Sequence, residues 1–163
     1  MTHNVLFLCT GNSARSVMAE ALLGVLGNGR FVAYSAGSHP AGTVQPLAAE
    51  LATQLGYPAD QLRSKSWDEY AVPGAPTMDF IITVCDNAAE EMCPIWPGQP
   101  IAAHWDVADP AAVIGSEDVR RAAFCAAFAI LRRRVELLIA LPDGKLVGLA
   151  ANSALREIAQ STR

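Results

Sequence analysis

The sequence predicts an α/β fold: a small parallel four-stranded sheet with helices on both faces, a three-layer arrangement of the Rossmann type. Short apolar runs alternate along the chain with segments whose apolar residues recur at helical spacing. The run at residues 79–85 is apolar on both faces, which is typical of a central parallel strand. We expect right-handed crossovers between the strands.

The order of the elements follows from these patterns. Strands are predicted for the apolar runs at residues 5–8, 31–35, 79–85 and 101–105. The first helix follows residue 16 and ends at the glycines of 27–29, and a second spans 43–55 with Gly56 just past its end. A short helix is predicted at 67–70.

Ser116 is predicted to cap a long helix that runs to about residue 140. Helical spacing places one set of residues on its buried side: Val119, Ala123, Phe124, Ala127, Ile130, Leu131, Leu137 and Leu138. We expect Cys125 to pack in the core and the run Arg132-Arg133-Arg134 to lie on a solvated face. Residues 1–163 are expected to form a single domain, with 142–163 as a C-terminal helical extension that carries no chemistry.

Composition excludes several classes of function. A net charge of −4 and a pI near 5.3 lack the basic footprint of a nucleic-acid binder. Because the chain shows no leader peptide and no apolar run of about 18 residues, we expect a cytoplasmic protein with no membrane partner. We also expect a monomer. The histidines are scattered, so we expect no zinc, and we assign no cofactor.

Residues 9–16, Cys-Thr-Gly-Asn-Ser-Ala-Arg-Ser, lie between the first strand and the first helix. Small residues let the backbone curl so that its N–H groups point inward, and the helix adds its free amides and the positive end of its dipole. The segment is therefore predicted to cradle a tetrahedral oxyanion. The binding residues would be Thr10, Gly11, Asn12, Ser13, Ala14, Arg15 and Ser16.

Cys9 is the candidate nucleophile of this cradle. Among the four cysteines, Cys9 alone is followed by an arginine at the sixth position, and the guanidinium of Arg15 could hold two oxygens of the anion. We expect the cradle to lower the thiol pKa by about two units from about 8.5. The alternative is a buried cysteine at a strand end with no chemistry.

The segment from Cys9 to Ser16 resembles the phosphate-binding loop of the low-molecular-weight protein tyrosine phosphatase family, and more closely its arsenate reductase branch. The resemblance covers about the first 140 residues, including the segments at 35–38, 84–86, 104–105 and 109–110. It implies that family's fold and the reduction of arsenate to arsenite in arsenic detoxification, with phosphate or sulfate as mimics of arsenate.

The resemblance also implies residues that support the loop. Asn12 and Ser35 would brace it by hydrogen bonds. In some arsenate reductases, positions resembling Asn12, Glu20 and Ser35 help to hold a potassium ion. Glu20 is equally well explained as an ordinary surface carboxylate, so we assign no metal.

A general acid is expected opposite the nucleophile, because an oxygen leaves arsenic or phosphorus slowly unless it is protonated. The resemblance favours Asp109, which precedes Pro110 as the family's acid precedes a proline; the alternative is that Asp109 only introduces the next helix. Phosphatases of the family usually carry an aromatic residue next, but Ala111 and Ala112 follow here. We therefore expect a pocket for a small anion.

Two further thiols suit a reductase. Reduction of As(V) consumes two electrons, which two thiols supply by forming a disulfide. The resemblance implies that Cys85 attacks the Cys9 sulfur, that Cys93 then attacks Cys85, and that thioredoxin reduces the last disulfide. The spacing from Cys85 to Cys93 is one residue longer than in thioredoxin-coupled members, so glutathione with glutaredoxin could replace the step of Cys93. An idle Cys93 is the alternative.

Two other functions stay open at this point. One is a phosphatase acting on phosphotyrosine or small esters, which would need Cys9, Arg15 and Asp109 but no second thiol. The other is a non-catalytic oxyanion-binding module. Binding alone needs neither a nucleophile nor an acid, so the presence of Cys9 and Asp109 together argues against it.

Overall fold

A parallel sheet forms the centre of the molecule. The computed structural model describes residues 2–85 and 96–162. Its strands are β1 (His3–Cys9), β2 (Phe31–Gly37), β3 (Phe80–Thr83) and β4 (Ile101–His104). They lie in the order β2-β1-β3-β4, and every neighbouring pair is parallel. The prediction of a small four-stranded parallel sheet is confirmed, with β1 in its interior.

Four α-helices connect and cover the strands in the described part of the chain: α1 (Arg15–Leu26), α2 (Pro46–Leu55), α3 (Glu117–Ile139) and α4 (Gly148–Ser161). Short 3-10 segments lie at Ala59–Gln61, Trp67–Tyr70, Pro110–Ala112 and Asp143–Lys145. The helix predicted for 43–55 begins only at Pro46, because proline fits the first turn of a helix.

The two faces of the sheet are covered by different structures. Side chains alternate along a strand, so Phe7 of β1 points to one side and Leu8 to the other. Phe7 belongs to the main core, which α1, α3 and α4 complete with Met18, Phe124 and Leu155. Leu8 belongs to a smaller cluster beneath the Trp67–Tyr70 segment. The interior strand β1 is therefore fixed from both sides.

The buried face of α3 is rotated from the predicted one. Val119 and Ile130 were predicted to be buried but are 49% and 37% exposed, and Cys125, predicted to be core, is exposed as well. These three predictions are wrong. Alanines occur at both exposed and buried positions of this helix and so do not mark which face packs. The residues that are buried are Phe124, Ala127, Leu131, Arg134, Val135 and Leu138.

Arg134 corrects the prediction of a solvated arginine run. Its side chain is buried at 2% exposure, whereas Arg132 and Arg133 are exposed. Its Nε donates to Oγ1 of Thr162 at 2.9 Å, and its Nη1 donates to the carbonyl of Asp106 at 2.9 Å. Burial of the guanidinium is tolerated because its donors find partners.

The C-terminal helix α4 packs against β4 and α3. Trp105, which follows β4, is fully buried, and its indole Nε1 donates to the carbonyl of Leu155 at 3.0 Å. The residues after the last strand are therefore tied to α4 by both packing and a hydrogen bond. Among the described helices, none combines the length and the apolar character needed to cross a membrane.

Candidate active site

The predicted site residues that the structure describes gather at one edge of the sheet. Cys9 ends β1, Ser35 lies near the end of β2, Cys85 follows β3, and Asp109 lies in the loop that follows β4. All four strands present their carboxyl ends at this edge, which is where parallel sheets bind ligands. The topology thus assembles residues that are distant in sequence.

The loop between β1 and α1 curls around the sulfur of Cys9. The N–H of Asn12 donates to Cys9 Sγ at 3.2 Å, and the hydroxyl of Ser16 lies 2.8 Å from the same sulfur. Asn12 has a φ of +45°, a left-handed conformation that asparagine tolerates better than most residues. Cys9 is only 4% exposed, but its sulfur meets these polar groups as well as the core.

The predicted depression of the Cys9 pKa is wrong for this structure. Burial disfavours the charged thiolate and raises the pKa of Cys9 above its ordinary value. Hydrogen bonds from Ser16 and from the Asn12 N–H act in the opposite direction but only partly offset the burial. The loop amides stabilise the thiolate, but the cost of removing the sulfur from water is larger.

Gly37 lies directly against the backbone of this loop, a contact that no local sequence pattern indicates. It pairs with Cys9 in the β1–β2 register. A Cβ atom at residue 37 would lie 2.4 Å from the carbonyl oxygen of Thr10 and 3.0 Å from the nitrogen of Asn12. Both neighbours are backbone atoms of the loop, so only glycine allows this close approach.

A buried polar cluster holds the loop from inside the protein: Asn12, Glu20, Ser35, Tyr57 and Lys65. Nδ2 of Asn12 donates to Ser35 Oγ at 3.0 Å and to Ser16 Oγ at 2.8 Å. The Ser35 hydroxyl donates to Oε1 of Glu20 at 2.7 Å, and the Tyr57 hydroxyl donates to Oε2 of Glu20. These contacts give Asn12 and Ser35 the geometry that loop-bracing residues require.

Glu20, Tyr57 and Lys65 are the members of the cluster that the sequence analysis left unassigned or did not notice. Glu20 is 5% exposed and is therefore not a surface carboxylate. One signal was available for it: Glu20 is the single acidic residue in an otherwise mostly apolar α1, and such a helix is usually buried. Lys65 and Tyr57 join the cluster through tertiary contacts that no local pattern marks.

The cluster does not fit a potassium ion. Nζ of Lys65 lies 3.5 Å from Glu20 Oε1 and donates to Ser35 Oγ at 3.3 Å. The ammonium therefore occupies the space beside the two oxygens that would ligate such an ion. In the described part of the chain, no group of three or more His, Cys, Asp or Glu side chains is arranged to hold a metal.

Arg15 links the loop to the segment that carries the candidate acid. Its Nη1 donates to the carbonyl of Val107 at 2.8 Å, and its Nη2 lies 3.7 Å from Oδ2 of Asp109. The other carboxylate oxygen of Asp109 accepts the N–H of Ala111 at 3.0 Å and caps the Pro110–Ala112 turn. Asp109 therefore caps a short helical turn and also lies beside Arg15, the first residue of α1.

Of the two further thiols predicted to act, Cys85 lies at this edge of the sheet. It is 3% exposed, and its sulfur lies 3.7 Å from the hydroxyl of Thr10 in the loop between β1 and α1. The N–H of the preceding Val84 donates to the carbonyl of Leu8 at 2.8 Å, so the ends of β1 and β3 run side by side. Cys93 lies outside the described residues.

Comparison with known proteins agrees with this geometry. The chain belongs to the low molecular weight phosphotyrosine protein phosphatase family, whose family model matches residues 4–143.

Within that family, the chain is similar to proteins named as arsenate reductases. It is 33% identical over 120 residues to an arsenate reductase of Halalkalibacterium halodurans, which covers 74% of this chain and 83% of the relative. A solved structure of an arsenate reductase in the phosphate binding state superposes with a TM-score of 0.64 at 28% identity, over 85% of this chain and 98% of that one. The arsenate reductase of Archaeoglobus fulgidus gives a TM-score of 0.58 at 30% identity, over 81% and 98%.

Proposed function

We propose that this protein is an enzyme that reduces arsenate to arsenite, with Cys9 as nucleophile and Cys85 as the thiol that receives the oxidising equivalents. Similarity to arsenate reductases supports the substrate. The observation that carries the reaction type is the second buried thiol, Cys85, at the same sheet edge as Cys9 and within 3.7 Å of the oxyanion loop. Hydrolysis of a phosphoester would have no use for it.

In the first step, the thiolate of Cys9 attacks arsenic while the loop amides and Arg15 hold the oxygens of arsenate. An S–As bond forms and one As–O bond breaks. Asp109 donates the proton with which that oxygen leaves as water. The hydroxyl of Ser16, 2.8 Å from the sulfur, and the Asn12 N–H are placed to stabilise the thiolate before it attacks.

In the second step, the thiolate of Cys85 attacks the sulfur of Cys9. A disulfide forms between the two, the S–As bond breaks, and its electron pair goes to arsenic, which leaves as arsenite in the As(III) state. The thiols are oxidised by two electrons and arsenic is reduced by two. The Cys9–Cys85 disulfide must then be opened by another thiol.

For that last step we propose that Cys93 attacks Cys85 and releases Cys9. The resulting Cys85–Cys93 disulfide is reduced by thioredoxin, or alternatively glutathione with glutaredoxin opens the first disulfide directly. Either reductant places the enzyme in the cytoplasm, where thiol pools stay reduced. Packing of α4 on β4 and α3 supports our proposal that residues 1–163 work as one domain, and we expect a monomer.

Hydrolysis of small phosphoesters is the second candidate function. It needs the same nucleophile, guanidinium and acid, and the family to which the chain belongs is named for phosphatases. Ala111 and Ala112 follow the Asp-Pro pair and offer no aromatic wall for a phosphotyrosine ring. A small ester would therefore be the better substrate for such an activity.

The deciding experiment measures arsenite formation by the purified protein with thioredoxin and its reductase, and separately with glutathione and glutaredoxin. Aryl phosphate hydrolysis is measured alongside. We expect Cys85→Ser to abolish multiple-turnover arsenate reduction while hydrolysis persists, and the exposed Cys125→Ser to change neither. Undiminished reduction by Cys85→Ser would refute the relay. Hydrolysis without any arsenite formation would instead establish a phosphatase.

A further inference from the structure

Lys65 contributes a cation to the interior behind the oxyanion loop. Its side chain is only 5% exposed, and that of Glu20, its ion-pair partner, is 6% exposed. Burial lowers the pKa of Lys65, and the carboxylate of Glu20 acts against that shift. Two opposite charges are thus removed from water together, an arrangement in which loss of either partner leaves the other buried and uncompensated.

The backbone of Lys65 is also bound to the elements that carry the site. Its N–H donates to Oδ1 of Asn12 at 2.9 Å, and its carbonyl accepts the N–H of Gly37 at 2.9 Å. Its Nζ donates to Ser35 Oγ and to the carbonyl of Arg63 at 3.2 Å. Lys65 therefore contacts the loop, the end of β2 and the buried carboxylate at once.

A short chain of contacts leads from this ammonium to the nucleophile. Lys65 meets Ser35, Ser35 accepts the side-chain N–H of Asn12, and the backbone N–H of Asn12 donates to the sulfur of Cys9 at 3.2 Å. Asn12 holds a left-handed φ of +45°, a conformation that must be stabilised by its surroundings. Contacts to both the side-chain carbonyl and the side-chain amide of Asn12 supply that stabilisation.

We infer that Lys65 is a positioning residue whose ammonium acts as the internal cation of the site, holding Glu20, Ser35 and Asn12 so that the Asn12 N–H faces the Cys9 sulfur. This inference rests on the proposed role of Cys9 as nucleophile. Lys65 touches neither the substrate nor the reacting sulfur. Because the cation is part of the chain, the enzyme needs no added monovalent ion to order its loop.

The test is the pH dependence of Cys9 alkylation by iodoacetamide, followed by mass spectrometry of the Cys9 peptide. It does not depend on which substrate the enzyme uses. We expect Lys65→Met to move the reactive limb, the pH range over which the alkylation rate rises as the thiol ionises, to higher pH, since the Asn12 N–H that stabilises the thiolate is displaced. We also expect kcat of the Cys9-dependent reaction to fall on the order of tenfold or more.

Lys145 provides the matched control because it is the only other lysine of the chain and is exposed. Its turn, Asp143–Lys145, lies near the amino end of β1, since Asp143 is 4.0 Å from His3. Lys145→Met should leave both readouts unchanged. An alkylation profile and a kcat in folded Lys65→Met equal to those of Lys145→Met would overturn the inference.

Two further variants keep the test decisive if Lys65→Met unfolds. In Glu20→Gln/Lys65→Met the unpaired buried charge is removed, so the protein should fold, with the alkylation limb still displaced. In Lys65→Ala, ammonium or potassium chloride should restore part of the Cys9 reactivity, whereas the larger tetramethylammonium chloride should not. A normal limb in the double variant, or equal effects of all three salts, would contradict a positioning role.

The same experiment separates a failure of the proposed arsenate reduction from a failure of the proposed role of Lys65. If the wild-type protein formed no arsenite but Lys65→Met still shifted the alkylation limb, the reductase proposal would fall and the role of Lys65 would stand.

Discussion

The two sides of the candidate site differ in burial: the residues around the nucleophile Cys9 are buried, whereas the candidate acid Asp109 is exposed. Behind Cys9, Asn12 and Ser35 are completely buried and hydrogen-bonded to each other. The side chain of Asp109 is 41% exposed. It is positioned by its hydrogen bond to the N–H of Ala111 and by Arg15, whose Nη2 lies 3.7 Å from its carboxylate. Folding therefore fixes the geometry around the sulfur, whereas the acid can adjust as substrate enters and water leaves.

The largest effect that separates the two sides is expected for Asp109→Asn. An amide of the same shape cannot give the proton, so turnover should fall by about 10²–10⁴-fold. Because the nucleophile loop is held from its buried side, the rate of Cys9 alkylation should not change. Steady-state kinetics and iodoacetamide labelling measure the two quantities. A matching loss in Asp106→Asn with none in Asp109→Asn would assign the acid to the other carboxylate of the loop.

Gly37→Ala probes the rigid side. Its new Cβ would meet the Thr10 carbonyl and the Asn12 nitrogen, at 2.4 and 3.0 Å, so the loop must move. We expect kcat/KM to fall about a hundredfold and urea denaturation to show a loss of about 1–3 kcal/mol. Gly144→Ala is the control, because no atom lies within 4 Å of the position that its new Cβ would take. Equal behaviour of the two variants would mean that the loop is not rigid.

Arg134→Met probes the support beneath the acid segment. It removes the hydrogen bonds to Thr162 and to the carbonyl of Asp106 and should cost about 1.5–3 kcal/mol in the free energy of unfolding. Turnover should fall less than tenfold, since the acid side tolerates adjustment. The exposed Arg133→Met, on the same helix, should lose neither. A loss of turnover as large as that of Asp109→Asn would show that the acid side is also rigid.

The smallest effect is expected for Ser16→Ala. The hydrogen bond from Ser16 lowers the pKa of Cys9, so its removal should raise that pKa further. The reactive limb of the alkylation profile should move to higher pH by up to about one unit, which corresponds to about 1.4 kcal/mol. A shift to lower pH would show that burial of the sulfur, not this contact, has changed.

Local patterns were sufficient for the fold and for the location of the candidate site. Short apolar runs predicted all four strands, and a loop between the first strand and the first helix was expected at residues 9–16 without tertiary information. The oxyanion-binding role of this loop stays a prediction. Carboxyl ends of parallel strands meet by topology, so Cys85 and Asp109 could be placed near Cys9 as well.

The remaining features depend on which surfaces meet. The orientation of α3 exposes Cys125 and buries Arg134, whose hydrogen-bond partners, Thr162 and Asp106, are distant in sequence. The Lys65–Glu20 pair likewise joins residues that no periodicity relates. The raised pKa of Cys9 was missed because the extent of burial is a property of the assembled core.

Adjacent parallel strands are spaced about 4.8 Å apart, and the α-carbons of a disulfide lie about 4.4–6.8 Å apart. Since Cys9 ends β1 and Cys85 comes two residues after the end of the neighbouring β3, the strand spacing sets the separation across which the proposed Cys9–Cys85 disulfide would form. Insertions downstream of Cys85 would then alter only the later exchange with a reductant, so related chains could change redox partner without disturbing the first exchange.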